Sequence, residues 1–356
     1  TSGYGEMAPT VTYLRDGRPT ELPDDFYSTD AYTDELIEYL QQDHAADQPF
    51  FAYLAFTAPH WPLHAPKEDI AKYEGKYLSG WDTLRERRFE ALKATGIVNS
   101  DAKIAPRHQD VPAWETLSSD QQLYQAKLMA VYAAMVDRID QSIGRLIAHL
   151  EKTGELENTV IVFSSDNGPE VIDFTTDPIF APTTDWIDAN FDNSIDNLGS
   201  ASSYPFYGRP WANAGTAGHR FYKTYVSQGG IHAPLILSWP GRVDSGSADF
   251  EPMAGRSMLP YLEGKTAAIY DEWDGQGFEL FGNQAHIAGD WKIQRLRAPA
   301  GDGKWKLYNL ARDPNETMDV SAENPKVMAR LMESHERYLA ENKVVLPPKD
   351  YQMFAN

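Results

Sequence analysis

The chain has 356 residues, 42% of them hydrophobic and 12% aromatic, enough to bury a sizeable core and, at about 150 residues per domain, a length that suggests two domains. Asp and Glu outnumber Lys and Arg by 52 to 32, for a formal charge of -20, which argues against nucleic acid or an anionic membrane as a partner; an anionic substrate would need a local cation. With no cysteine, disulfides, thiolate metal sites and cysteine nucleophiles are excluded as well.

In chain order, Arg15-Asp16-Gly17-Arg18-Pro19 is a turn signal between short extended pieces and predicts a hairpin between Val11 and Leu22. Ser28-Thr29-Asp30 predicts a helix cap ahead of Ala31, Leu36, Ile37, Tyr39 and Leu40, which recur at helical spacing until Asp47-Gln48-Pro49. Phe50 to Phe56 is an unbroken apolar run that predicts a strand buried on both faces, with Thr57-Ala58-Pro59-His60-Trp61-Pro62 at its carboxyl end. From Ile70 to Pro112 the sequence is polar, with an amphipathic stretch from Leu84 to Leu92, and predicts a helix and a long surface loop.

Ser118-Ser119-Asp120 caps the longest predicted helix, in which Leu123, Lys127, Ala130, Val131, Ala134, Ile139, Ile143 and Leu146 keep a helical period up to Gly154. It feeds directly into Thr159-Val160-Ile161-Val162-Phe163, a second two-faced apolar run. The strand, helix, strand order predicts a right-handed crossover if the two strands are parallel. Pro169 to His219 is rich in Asp, Asn, Pro, Gly, Trp and Tyr; a loop of that length is functional or mobile. Ile231 to Trp239 is a further apolar run. From Phe250 onward, Gln284 to Ile287, Trp291 to Arg297 and Trp305 to Asn309 are separated by turn signals, and a final helix is predicted from Pro325 to Glu341. No apolar run reaches about 20 residues, so no membrane span is expected.

Three elements carry candidate chemistry. Ser164-Ser165-Asp166-Asn167-Gly168 ends a two-faced strand, at the rim where ligands bind in α/β sheets. Asp166 and Asn167 offer an anionic oxygen and a neutral carbonyl oxygen, donors that suit Ca²⁺ or Mg²⁺ better than zinc; the competing reading is an Asx turn. His60, between prolines after the Phe50 to Phe56 run, could donate to an anionic oxygen or protonate a leaving group, or could be structural. His64 on the same loop reads as a bystander. Lys223, in Phe221-Tyr222-Lys223-Thr224-Tyr225 ahead of Gly229-Gly230-Ile231, could be held as a point charge for an oxyanion, or could be simply solvated.

Taken together these segments resemble the type I sulfatases, particularly bacterial arylsulfatases of the alkaline phosphatase superfamily. The matching text is Ala58-Pro59-His60-Trp61-Pro62-Leu63, Ser165-Asp166-Asn167-Gly168, Lys223 with Gly229-Gly230-Ile231, Glu279-Leu280-Phe281-Gly282-Asn283 and the stretch from Trp305 to Pro314. The resemblance implies hydrolysis of small sulfate esters, with Asp166 and Asn167 as ligands of Ca²⁺ (Mg²⁺ as the alternative) and with His60 and Lys223 gripping the ester and helping the leaving oxygen depart. It also implies a pair of metal-binding aspartates and a Cys- or Ser-x-Pro-x-Arg motif, whose first residue becomes the formylglycine nucleophile. No such motif is encoded near the start of these residues, where the family carries it; the stretch with that spacing, Ser238-Trp239-Pro240-Gly241-Arg242, lies far downstream. Thr1-Ser2-Gly3-Tyr4-Gly5 carries no basic segment, apolar signal core or initiator Met, so the chain reads as a sulfatase without its front portion, with a second gap near Asp249. The compartment, periplasm or cytoplasm, stays undecided.

The expected fold is α/β: a central mixed, largely parallel sheet flanked by helices over residues 1–249, plus a smaller C-terminal antiparallel α+β subdomain over 250–356. The expected function is a sulfuric ester hydrolase with its site only partly on this chain. The alternatives are a catalytically inactive binding or structural remnant, and a promiscuous metal-dependent phosphoesterase or esterase. Strands deprived of their neighbours would leave unpaired edges or apolar faces, from which self-association or a separate amino-terminal polypeptide is expected.

Overall fold

The structure, a computed structural model, describes residues 12–42, 48–176, 180–243, 259–262, 264–268, 273–348 and 351. In order, its elements are β1 (Leu14–Arg15), β2 (Arg18–Pro19), α1 (Ser28–Gln41), α2 (Lys67–Ala71), α3 (Gly80–Thr95), α4 (Ser119–Thr153), β3 (Ile161–Ser164), α5 (Ala181–Asn190), α6 (Gly208–Gly215), α7 (Gln228–Ile231), β4 (Leu235–Ser238), α8 (Leu259–Leu262), β5 (Gly275–Leu280), β6 (Asn283–Ala288), β7 (Trp291–Arg295), β8 (Trp305–Asn309) and α9 (Pro325–Glu341). This is a mixed α/β fold. Two compact units form: one from residues up to Asp82, Pro112–Asn158 and Ile172–Trp211, the other from Thr83–Val111, Thr159–Val171 and the residues from Ala212 onward.

In the first unit α4 is the organising element. Its start is a capping box, the Gln121 N–H donating to Ser118 Oγ at 3.3 Å and the Ser118 N–H donating to Gln121 Oε1 at 2.9 Å, and its end is Gly154 at φ +78°. Leu128, Met129, Val131, Ala134 and Met135 are buried along one stripe, and α1 and α2 pack against it. Arg138 of α4 reaches Asp30 of α1 and buried Asp69 of α2, so charge as well as apolar area fixes these helices. The hairpin expected around Gly17 forms as β1–β2. The cap expected at Ser28-Thr29-Asp30 does not: the N-cap is Tyr27, without a side-chain bond, and Ser28 is taken into the helix with its hydroxyl 3.3 Å from Thr57 Oγ1.

In the second unit β3 pairs with β4 antiparallel, Ile161 opposite Ser238 and Ser164 opposite Leu235. β5, β6, β7 and β8 form an antiparallel sheet in sequence order, with Ile293, Leu307 and Ala288 packed around Leu331 of α9. No helix among the described residues is long and apolar enough to cross a membrane.

Two expectations need correction. Every ladder among the described residues is antiparallel, so the largely parallel central sheet is not among them. An apolar run on both faces encodes the burial a strand wants and not the direction of its neighbours, and β3 is flanked by β4 instead of a parallel partner. The Phe50 to Phe56 run joins no ladder and is not buried; Phe51 is 92% and Tyr53 84% exposed. Val162 and Ile236, on β3 and β4, are likewise more than half exposed.

Burial also sets the acid response. His64, His219 and His286 are held at about 4, below the ordinary 6.5, chiefly because their charged forms lose hydration. Between those values the unfolded chain binds protons that the folded chain does not. The part of the stability that rests on keeping these rings neutral is therefore complete above about pH 6.5 and is lost as the pH falls toward about 4. His286 on β6 faces His335 on α9 at 5.8 Å between ring centroids, and none of their four ring nitrogens has a hydrogen-bond partner. Unsatisfied buried groups cost about 1–3 kcal/mol. His286→Leu is expected to raise the melting temperature near about pH 7 and to flatten its decline toward about pH 5; circular dichroism melts at both pH values check this, and an unchanged or lowered melting temperature contradicts it.

Candidate active site

The turn after β3 is built from short polar links. Ser164 Oγ donates to Pro234 O at 3.1 Å, Ser165 Oγ to Asn167 O at 3.0 Å, and Asn167 Nδ2 to Gly168 O at 3.0 Å. Asp166 is exposed and Asn167 half-buried. The Asn167 amide nitrogen is occupied by Gly168 O, which leaves its Oδ1 as an acceptor.

Gly168 then meets the start of α7 backbone to backbone. The Gly168 N–H donates to Gly230 O at 3.0 Å, and a Cβ on Gly168 would lie 1.9 Å from Gly229 O. Gly229 is equally confined, since a Cβ there would lie 2.0 Å from Phe221 O. The Asn-Gly and Gly-Gly pairs are thus required by a close approach that no side chain permits.

That approach carries Lys223. Its N–H donates to Pro169 O at 3.0 Å, and its Nζ lies 2.5 Å from Glu170 Oε2. Glu170 is buried and receives the Val171 N–H on Oε1 at 2.8 Å. The lysine arm is therefore anchored to the peptide that follows Asp166-Asn167. Phe221 at φ +60° and Thr224 at φ +80° flank it; such angles in an aromatic and a β-branched residue are strained and are held by their surroundings. Glu170 had no signature in the sequence, because a single glutamate after Asn-Gly-Pro belongs to no periodic or spaced motif.

His60 lies in the other unit. Its N–H donates to Thr57 O at 3.1 Å, and its Nδ1 lies 2.8 Å from Trp61 O, so the carbonyl selects the Nδ1–H tautomer. Trp61 packs on Phe174, Tyr204 and Phe206, which ties the loop to the long Pro169 to His219 segment. His64 is fully buried and its Nε2 donates to Ser203 O at 2.8 Å, a structural bond.

Asp166 and Asn167 suit a hard cation by donor type, but no group of three or more His, Asp or Glu side chains with metal-binding geometry occurs among the described residues. They supply two oxygens where Ca²⁺ takes about 6–8. The fit is to part of a coordination sphere only.

A sequence model of the sulfatase family matches residues 4–251. An uncharacterized sulfatase of Schizosaccharomyces pombe is 33% identical over 97% of this chain and 67% of its own length. An arylsulfatase of Klebsiella aerogenes is 39% identical over 74% of this chain and 57% of its own. The chain thus spans from about half to two thirds of these relatives. Among solved structures, Ps i-CgsB in complex with k-i-k-neocarrahexaose superposes with a TM-score of 0.53 at 20% identity, covering 92% of this chain and 58% of that one. A phosphonate monoester hydrolase of Silicibacter pomeroyi does so with a TM-score of 0.50 at 20% identity, over 96% and 67%. These two likenesses concern the fold. With most of the chain matched by one family and two sequence relatives drawn from it, the chain belongs to the sulfatase family.

Proposed function

We propose that this chain carries the cation-bearing side of a sulfate-ester hydrolase site, acting on small, arylsulfatase-type esters. The observation that supports it best is the anchoring of Lys223 to the Asp166 to Glu170 turn, through Pro169 O and Glu170 Oε2. A protein of net charge -20 binds an anionic sulfate ester only where a cation is held locally, and a lysine kept in place by one buried carboxylate is such a point.

In this reading Lys223 Nζ turns from Glu170 to a sulfate oxygen and stabilises the charge that grows as the ester bond breaks. Glu170 keeps the ammonium aimed at the turn when no ester is bound. His60, which lies in the other unit, is the residue that the resemblance assigns to protonating the leaving oxygen. Asp166 and Asn167 hold Ca²⁺, or Mg²⁺ in its place, together with ligands beyond these two; the ion, when bound, supplies further charge neutralisation to the ester. We also read residues 1–249 as one α/β domain, whose β3 and β4 join a larger, mixed and largely parallel sheet, with 250–356 as an appended subdomain. Further strands, from a second copy or another polypeptide, would then cover Val162 and Ile236.

Lys223→Ala is expected to weaken binding of inorganic sulfate by about tenfold or more, the loss of one charge-assisted hydrogen bond; titration calorimetry reads it, and equal affinities contradict the assignment. Calcium is expected to bind weakly and to be lost in Asp166→Ala, whereas tight binding that survives this change puts the metal elsewhere. Gly168→Ala forces apart the two backbones and is expected to cost about 1–3 kcal/mol in denaturant unfolding. A neutral result there would mean that the close approach is dispensable.

A further inference from the structure

Beneath the turn that leads into Gly229 and Gly230 lies a fully buried ion pair. Lys292 on β7 and Glu316 after β8 are 2.6 Å apart, both with side chains at 0% exposure. Their remaining bonds go to three consecutive residues of the turn. Lys292 Nζ donates to Val226 O at 2.6 Å, Gln294 Nε2 donates to Ser227 Oγ at 2.8 Å, and the Gln228 N–H donates to Glu316 Oε2 at 3.1 Å. From Gln228 the chain passes directly to Gly229 and Gly230, whose carbonyls meet Gly168. Glu316 is held at φ +56°, a strained angle for this residue that its surroundings must sustain.

A buried ion pair is a poor source of stability, because well-packed apolar residues of similar volume do as well or better. What it does supply is direction. An apolar pair would pack under Val226–Gln228 and leave that backbone free to slide, whereas a cation, an anion and an amide each bonded to a different atom of the turn permit one register. The apolar contacts at this place, Phe221 and Val226 against Ala285 and Leu296, seat the turn without fixing its rotation.

We propose that Lys292, Glu316 and Gln294 are positioning residues: a polar clamp from the C-terminal sheet that sets the Gly229-Gly230 carbonyls against Gly168, and so holds Lys223 and the Asp166-Asn167 turn in one arrangement. The clamp touches neither substrate nor metal. Its importance for catalysis rests on the reading of Lys223 given above; the clamp itself does not.

The test is the double variant Lys292→Met, Glu316→Leu in the full chain, which removes both charges together, with Glu316→Gln as its contrast. Hydrogen exchange followed by mass spectrometry or NMR, thermal unfolding, and affinity for inorganic sulfate are measured for each. The double variant loses the partners of Val226 O and the Gln228 N–H and is expected to melt a few degrees lower while keeping its β5–β8 protection, with exchange at Gly168 and Gly230 rising about tenfold or more and sulfate affinity falling about as much. Glu316→Gln, which strands a buried lysine, is expected to lower the melting temperature further. Unchanged exchange at Gly168 and Gly230 in the double variant overturns the proposal, as does an equal loss of protection throughout the sheet, the mark of a purely structural pair. If the unaltered chain binds no sulfate, the functional reading fails, and the exchange data still decide the clamp.

Discussion

Two stretches of backbone, after β3 and before β4, come so close that no Cβ can stand between them. Gly168 faces the carbonyl of Gly229 and donates to that of Gly230, while Gly229 in turn lies over Phe221 O. Through this contact the Asp166-Asn167 turn, the strained Phe221 to Thr224 arm and the first turn of α7 form one body. The chemistry proposed for the chain requires two oxygen donors and an ammonium to share a site, and their distance is set by glycine packing more than by any bond between their side chains.

Charge is spent sparingly and at specific points. Glu170 and Glu316 are both buried carboxylates, each facing a lysine, yet their settings differ. Lys223 is partly exposed, whereas Lys292 is sealed from solvent. Desolvation explains the difference: the sealed ammonium has its charged form disfavoured by burial, and Glu316 and the Val226 carbonyl offset that loss. In the proposed reading the first meets ligand; the second lies in an interior that holds a shape.

Much of this was legible in the residues. The capping box at Ser118, the helical period to Gly154 and the Gly stop define α4 locally, and α4 forms as its sequence states. The polar tip after Phe163 marks the turn, because local chemistry writes it; the Gly-Gly before Ile231 gave no sign of α7, since it read as the lead into a strand that begins only at Leu235. Long-range information was harder to read. Two-faced apolar runs gave no hint that β3 would pair antiparallel with β4 or that Phe51 and Tyr53 would stand exposed. Ser28 has the identity of a cap, but Tyr27 occupies the position and the hydroxyl is drawn to Thr57. Glu170, Lys292 and Glu316 could not be found from spacing at all, since their partners lie 53, 66 and 88 positions away in sequence.

The central claim is that Lys223 and the Asp166 to Glu170 turn bind one oxyanion. Selenate copies the charge and shape of sulfate and scatters X-rays anomalously, so a crystal soaked in it locates the ion without any assumption about turnover. The account predicts an anomalous peak within hydrogen-bond distance of Lys223 Nζ, with the lysine turned from Glu170 and the peak absent in Lys223→Ala crystals. A peak at another cationic surface, with Lys223 still paired to Glu170, would contradict it.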